Sequence, residues 1–162
     1  MLDEPETKRR TAEMSGASDR LAAALRTVAD STQPNDAVAR NLQHLADVAD
    51  WSSGVWRQAF DSEPAHGDLA RLCDAAGQRP ESVEAIGTLA RVAVPRLIAA
   101  AVLLQAELGD EVSPGRQRWL RLLIDELETT RADLELVVQS QLCPDDAHRL
   151  ATACAEVAKE VC

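Results

Sequence analysis

The sequence predicts an all-α fold, an antiparallel up-and-down helical bundle of about five to six helices with a kinked central helix at Pro95. Composition is the first reason. Hydrophobic residues make up 46% of the chain, yet it has one Phe (Phe60), three Trp and no Tyr. The apolar stock is Ala, Leu and Val. Ala and Leu lose little rotamer freedom in a helix, while the aromatics favoured in strands are nearly absent. Periodicity is the second reason, because apolar residues recur at helical spacing over most of the chain. The third is punctuation: Pro34, Pro64, Gly77, Gly109 and Pro144 fall between the periodic runs. The joins they leave are too short for distant crossings, so neighbours pack antiparallel.

Taken in order, residues 1–16 hold Pro5, Gly16 and many charges with little apolar content, and are expected to be a flexible N-terminal leader. Residues 17–162 are expected to form a single helical-bundle domain, long enough to bury a core without metal or disulfide. Ser18 caps a first helix over residues 18–32, with Leu21, Leu25 and Val28 on its stripe and Pro34 beyond its end. Asn35 caps the second, which runs to Phe60 along a seam of Val38, Leu42, Leu45, Ala49, Ser52, Trp56 and Ala59, weakened at Gly54. A turn at Pro64 leads to a short third helix through Leu69, Leu72 and Cys73, stopped by Gly77 in the usual C-terminal position.

Pro80 opens the fourth helix, whose stripe from Val83 to Leu108 ends at Gly109. Pro95 removes one backbone bond from it and predicts a kink near Arg91. Apolar residues surround this helix on most faces, which places it at the centre of the bundle. Ser113 and Pro114 start the fifth helix, Cys143-Pro144 breaks it, and Asp145 or Asp146 starts a sixth that runs to the C-terminus.

Acidic residues number 27 against 17 basic ones, a net charge of −10 spread evenly over both halves of the chain. Such a surface repels phosphate backbones and disfavours nucleic acid, while it suits solubility and a basic partner. The N-terminus lacks the apolar core of a secretory signal, so a cytoplasmic protein is expected. The most apolar run, residues 92–104, is interrupted by Pro95 and Arg96 and is shorter than a membrane span, so no membrane association is expected. Cys73, Cys143, Cys154 and Cys162 form no CxxC pair and read as thiols, with Cys154 on an apolar stripe and terminal Cys162 open to reaction.

No nucleophile elbow, phosphate loop or dinucleotide fingerprint is present, which gives catalysis no positive support, and no cofactor is expected. The residues left over by packing are few. Trp51 and Trp56 are five apart and cannot share the middle of one stripe. Trp56 lies on the seam, whereas Trp51 lies about 100° away and marks a candidate partner contact, set against the alternative that both rings pack between helices. Arg116, Arg118 and Arg121 cluster with Trp119 at the start of the fifth helix, where exposed amides already favour anions. Their placement suggests an acidic partner, a phosphate-bearing ligand, or pairing with carboxylates of a neighbouring helix.

His44 and Asp47 are one turn apart and form the weak metal alternative. The string His44-Leu45-Ala46-Asp47 resembles the first metal-histidine helix of DinB-like and mycothiol-dependent bundle enzymes, but the later His-x-x-x-His pair of that family is missing, so no residue role carries over. The string Trp51-Ser52-Ser53-Gly54-Val55-Trp56-Arg57 loosely resembles the turn of small WxG helical-hairpin secretion substrates, with its spacing off by one residue and no Tyr for the export signal. The function expected is an acidic helical protein–protein interaction module acting through helix-face packing, as regulator, adaptor, immunity-type inhibitor or self-assembling subunit, and seams of Ala and Leu on several helices suit a homodimer. The alternative is a small-molecule- or metal-binding bundle, an enzymatic one included, with a pocket near Pro95.

Overall fold

The computed structural model describes residues 2–32, 36–109 and 112–161. Asp3 starts the first helix: its carboxylate accepts from the Glu6 amide at 2.8 Å, and Pro5 occupies the first turn. From there α1 runs unbroken over Glu4–Ser31. This corrects the expected leader, because from Glu4 onward that segment is helix with Thr11, Met14, Ser15 and Gly16 buried. Ser18, expected as an N-cap, is buried in mid-helix and donates to the Met14 carbonyl at 2.9 Å. The physical reason is twofold. The charges pair at helical spacing, with Arg9 binding Glu6 and Glu13, and Arg10 also binding Glu6. Arg9, and then Arg10, holds the Glu6 carboxyl down to about 2. The core-facing side is made of small or polar residues that hydropathy does not single out.

Asp36 caps α2, Ala37–Phe60, by accepting from the Val38 amide at 3.0 Å. The expected cap at Asn35 and the stop at Pro34 lie outside the described residues. α2 runs antiparallel to α1: Arg26 binds Asp47 and Asp50, the Ser15 and Ser53 hydroxyls meet at 3.0 Å, and Lys8 reaches Asp61 at 3.4 Å. Trp56 is fully buried, with the Phe60 ring 5.8 Å from its own.

The chain leaving α2 folds back onto α1, and the Ala65 amide donates to the Ala12 carbonyl at 2.9 Å. This crossing requires Gly16, since a methyl there would occupy the place of the Ala65 carbonyl oxygen. α3, Asp68–Gly77, then runs beside α1. Gly77 does not stop α3 through left-handed backbone, because Gly109 is the glycine with positive φ among the described residues. Its smallness serves packing instead: a methyl at Gly77 would lie 2.5 Å from the Ala24 Cβ.

α4 (Ser82–Thr88), a π-helical turn (Leu89–Ala93) and α5 (Val94–Leu108) form one rod. The disturbance expected from Pro95 takes the form of that π turn, in which the Val94 amide donates to the Leu89 carbonyl five residues back. The additional residue relieves the proline ring of its clash with the carbonyl four positions earlier. Ala85, Ile86, Leu89, Ala90, Ala93 and Val94 are at most 2% exposed, so the rod is central there. Over α5 it is central on one side only. By length and composition, Ser82–Leu108 is apolar enough to cross a membrane, beyond the shorter run read from the sequence, and 56% of its most apolar window is buried inside the bundle.

Gly109, at φ 57°, ends α5, and Ser113 caps α6, Pro114–Gln141. α6 returns antiparallel to α5, fastened where Arg91 of the π turn holds Glu135 through two hydrogen bonds of 2.7 and 3.0 Å. Arg91 keeps the Glu135 carboxyl below its ordinary range. α7, Asp146–Lys159, packs along α4 and the π turn, with Arg79 on Glu156 at 2.8 Å. Among the described residues the fold is all-α, without strands, around one continuous apolar cluster.

Two glycines in neighbouring helices should respond oppositely to the same change. Gly16→Ala forces backbone apart at Ala65 and should lower unfolding stability by about 2 kcal/mol, an overpacking cost. Gly54 has nothing within 4 Å of an added methyl, so Gly54→Ala should raise stability by up to about 1 kcal/mol through helix propensity. Urea midpoints read both, and a stabilised Gly16→Ala protein would refute the close approach.

Candidate partner-binding surface

α2 places its two tryptophans in different environments. Trp56 is 1% exposed, whereas Trp51 is 44% exposed. Trp56 is therefore a core residue, and of the two only Trp51 is available to a partner. Its neighbours at helical spacing are Val48, half-buried, and Val55, buried, so the ring lies at the edge of an apolar strip.

The arginine cluster at the start of α6 divides. Arg116 turns back toward α2, where its Nε donates to the Ala59 carbonyl at 2.9 Å and its guanidinium lies 5.5 Å from the centre of the Phe60 ring. It supplies a cation to the last turn of α2 and helps cover the core at that end. Arg118 lies about 200° round the helix from Arg116 and so points elsewhere. Arg118, Trp119 and Arg121 are exposed, Trp119 at 41%. Leu122, half-buried, sits one turn beyond both Arg118 and Trp119 and joins them on one face. Residues 112–124 contain these three arginines and no acidic residue.

The pairing pattern separates Arg118 and Arg121 from most other arginines. Eight arginines, including Arg10, Arg20, Arg79 and Arg91, bind carboxylates. Arg118 and Arg121 form no ion pair with any described residue. The expected pairing of the cluster with a neighbouring helix is thus replaced, at Arg116, by a backbone carbonyl and an aromatic ring. Phe60 and Leu122 are the residues that sequence reasoning missed. A buried ring beneath Arg116 had no signal in spacing, whereas Leu122 was readable as the residue one turn after Trp119.

His44 is exposed on α2, and Asp47 one turn later is held by Arg26 of α1 at 3.0 Å. Among the described residues no three His, Cys, Asp or Glu side chains are grouped to hold a metal ion. Cys73 is fully buried, and burial, followed by the Asp74 charge, pushes its thiol up to about 12. Cys154 packs half-buried near the Gly87 carbonyl, Cys143 is exposed, and Cys162 lies outside the described residues. A cleft of about 390 Å³ opens where α1, α2 and α6 meet, with Phe60, Leu108 and Val112 as its apolar wall and Lys8 and Arg116 at its rim.

The division of the arginines is open to measurement. Arg116→Ala should lower unfolding stability by about 1 kcal/mol, from one charged hydrogen bond and one ring contact at an exposed site. Arg118→Ala and Arg121→Ala should each stay within about 0.5 kcal/mol of the parent. Equal losses at all three positions would remove the distinction. No protein-family model matches the chain, and neither a curated protein nor a solved structure shows significant similarity to it.

Proposed function

We propose that the protein is an acidic, cytoplasmic helical interaction module, a regulator, adaptor or immunity-type inhibitor that engages an acidic segment of a partner through α6. The observation that carries this reading is Trp119, 41% exposed, beside Arg118, with Arg121 one turn beyond Arg118 on its other side, neither arginine in an ion pair with any described residue. Tryptophan and arginine are the residue types that dominate interface energetics, and a guanidinium beside an open indole offers both burial and charge. On a chain of net charge −10 this is an island of the opposite sign, so it selects an acidic segment while the remaining surface repels acidic proteins. Exposed Trp51 on α2, which packs against α6, is a second aromatic contact for the same partner.

A second reading, small-molecule binding, is supported by the cleft of about 390 Å³ with Phe60 in its wall and Arg116 at its rim, within the size range of ligand sites. The two readings use different residues. Trp119→Ala and Arg118→Glu should leave the helical spectrum and melting temperature unchanged. Each should release the native partner captured from host extract, weakening it by about 2 kcal/mol, roughly thirtyfold in Kd. Retention of the partner by both variants would overturn the α6 reading.

A further inference from the structure

Arg96 and Glu107 are the only charged residues of α5. Residues 97–106 between them carry no charge. One side of this stretch enters the core through Leu97, Ala101 and Leu104. The opposite side presents Ala99, Val102, Leu103 and Ala106 to solvent, Val102 at 45% and Leu103 at 53% exposure. In an α-helix these four positions form one stripe. A groove flanks it on each side. The one toward α1 and α3 is about 240 Å³ and has Met14, Leu69 and Ala100 in its walls. The one toward α6 is about 340 Å³ and is bounded by Gly109 and Leu120. An apolar ridge between two grooves is the relief into which a second such ridge packs, and alanines at both ends let the two backbones approach.

We propose that this face of α5 is the interface of a two-fold homodimer in which the two α5 helices pack antiparallel. The charges choose both the occupant and the direction. Arg96 and Glu107 are eleven residues apart, about three helical turns, and so lie on the same edge of the stripe. In an antiparallel pair, residues on the same edge face each other across the two-fold axis. Arg96 of each copy then meets Glu107 of the other, once at either end of the uncharged stretch. In a parallel pair the same edges fall on opposite sides of the seam, so neither Arg96 nor Glu107 would meet a charge of the other copy.

The local partners leave room for this. Among the described residues Arg96 donates one long bond of 3.4 Å, to the Ala158 carbonyl, and Glu107 uses Oε2 for Arg10. An anionic bilayer is the poorer occupant, since the chain carries net charge −10 and α5 has one cation. Arg121 lines the groove toward α6, so the two surfaces adjoin there, but the dimer rests on Arg96, Val102, Leu103 and Glu107 and does not depend on the function proposed for Trp119 and Arg118.

Sedimentation equilibrium of the full chain at micromolar concentration should give twice the 17.5 kDa monomer mass. Leu103→Glu should give the monomer with an unchanged helical spectrum. Arg96→Glu should weaken the dimer by about tenfold or more by placing like charges together, and adding Glu107→Arg to it should restore the dimer. Trp119→Ala and Arg118→Glu should leave the mass as it is, which distinguishes failure of the partner reading from failure of this one. A parent chain that stays monomeric at about 100 micromolar, a concentration at which even a weak dimer assembles, or a dimer that survives Leu103→Glu, would overturn the interface. So would a monomer that instead co-sediments with phosphatidylcholine–phosphatidylglycerol vesicles.

Discussion

The closeness of α1 to the chain around it is the constraint on which the rest of the bundle depends. At Gly16 the Ala65 carbonyl oxygen stands where any side chain would begin, and the Ala65 amide binds the Ala12 carbonyl at 2.9 Å. The return from α2 to α3 can lie on α1 only because nothing projects there. The same economy continues along α1, where Ala17, Ala22 and Ala24 are buried and Gly77 of α3 approaches Ala24. Helices separated by alanine and glycine come nearer than helices separated by leucine, and the dispersion contacts between them increase accordingly. With α2 and α3 seated on α1, the rod of α4 and α5 has a fixed wall to pack against.

That rod changes character at the π turn. Before it, the helix is enclosed by α3, α6, α7 and α1. After it, Leu97, Ala101, Leu104 and Leu108 continue inward while Val102 and Leu103 turn outward. Pro95 is the origin of the change, because a helix that cannot form its regular bond at that point absorbs an additional residue and rotates all of α5 relative to α4. Arg91, carried on the π turn, clamps Glu135 of α6 and fixes the new phase. An irregularity required by one proline thus decides which apolar residues meet water.

The helices themselves were legible because their stripes, caps and breakers agree, as at Ser113-Pro114, Gly109 and Pro144. The first half of α1 was not. Its inward side is Thr11, Met14, Ser15 and Gly16, and hydropathy cannot recognise a core face whose contribution is smallness rather than apolar area. Gly77 misled for a related reason: glycine near a helix end has two uses, backbone freedom and close approach, and sequence alone does not say which. In the candidate surface, periodicity separated Trp51 from Trp56, since one helix fixes their relative phase. It could not divide Arg116 from Arg118, because the difference lies in where α2 ends, beside Phe60, and that is a matter of tertiary packing.

Charge gives the exposed apolar residues their meaning. Across most of the molecule, acidic side chains either hold arginines or face water, and a surface of that sign keeps copies of the chain apart at long range. Repulsion of this kind is overcome only where charge is absent or complementary. α5 offers ten residues without charge bounded by an arginine and a glutamate, and residues 112–124 hold three arginines and no acidic residue. The first arrangement satisfies itself when doubled. The second cannot, because like charges would meet, and it requires a surface of opposite sign from elsewhere. One acidic bundle thereby carries two faces that differ in the charge of the surface that would complement each.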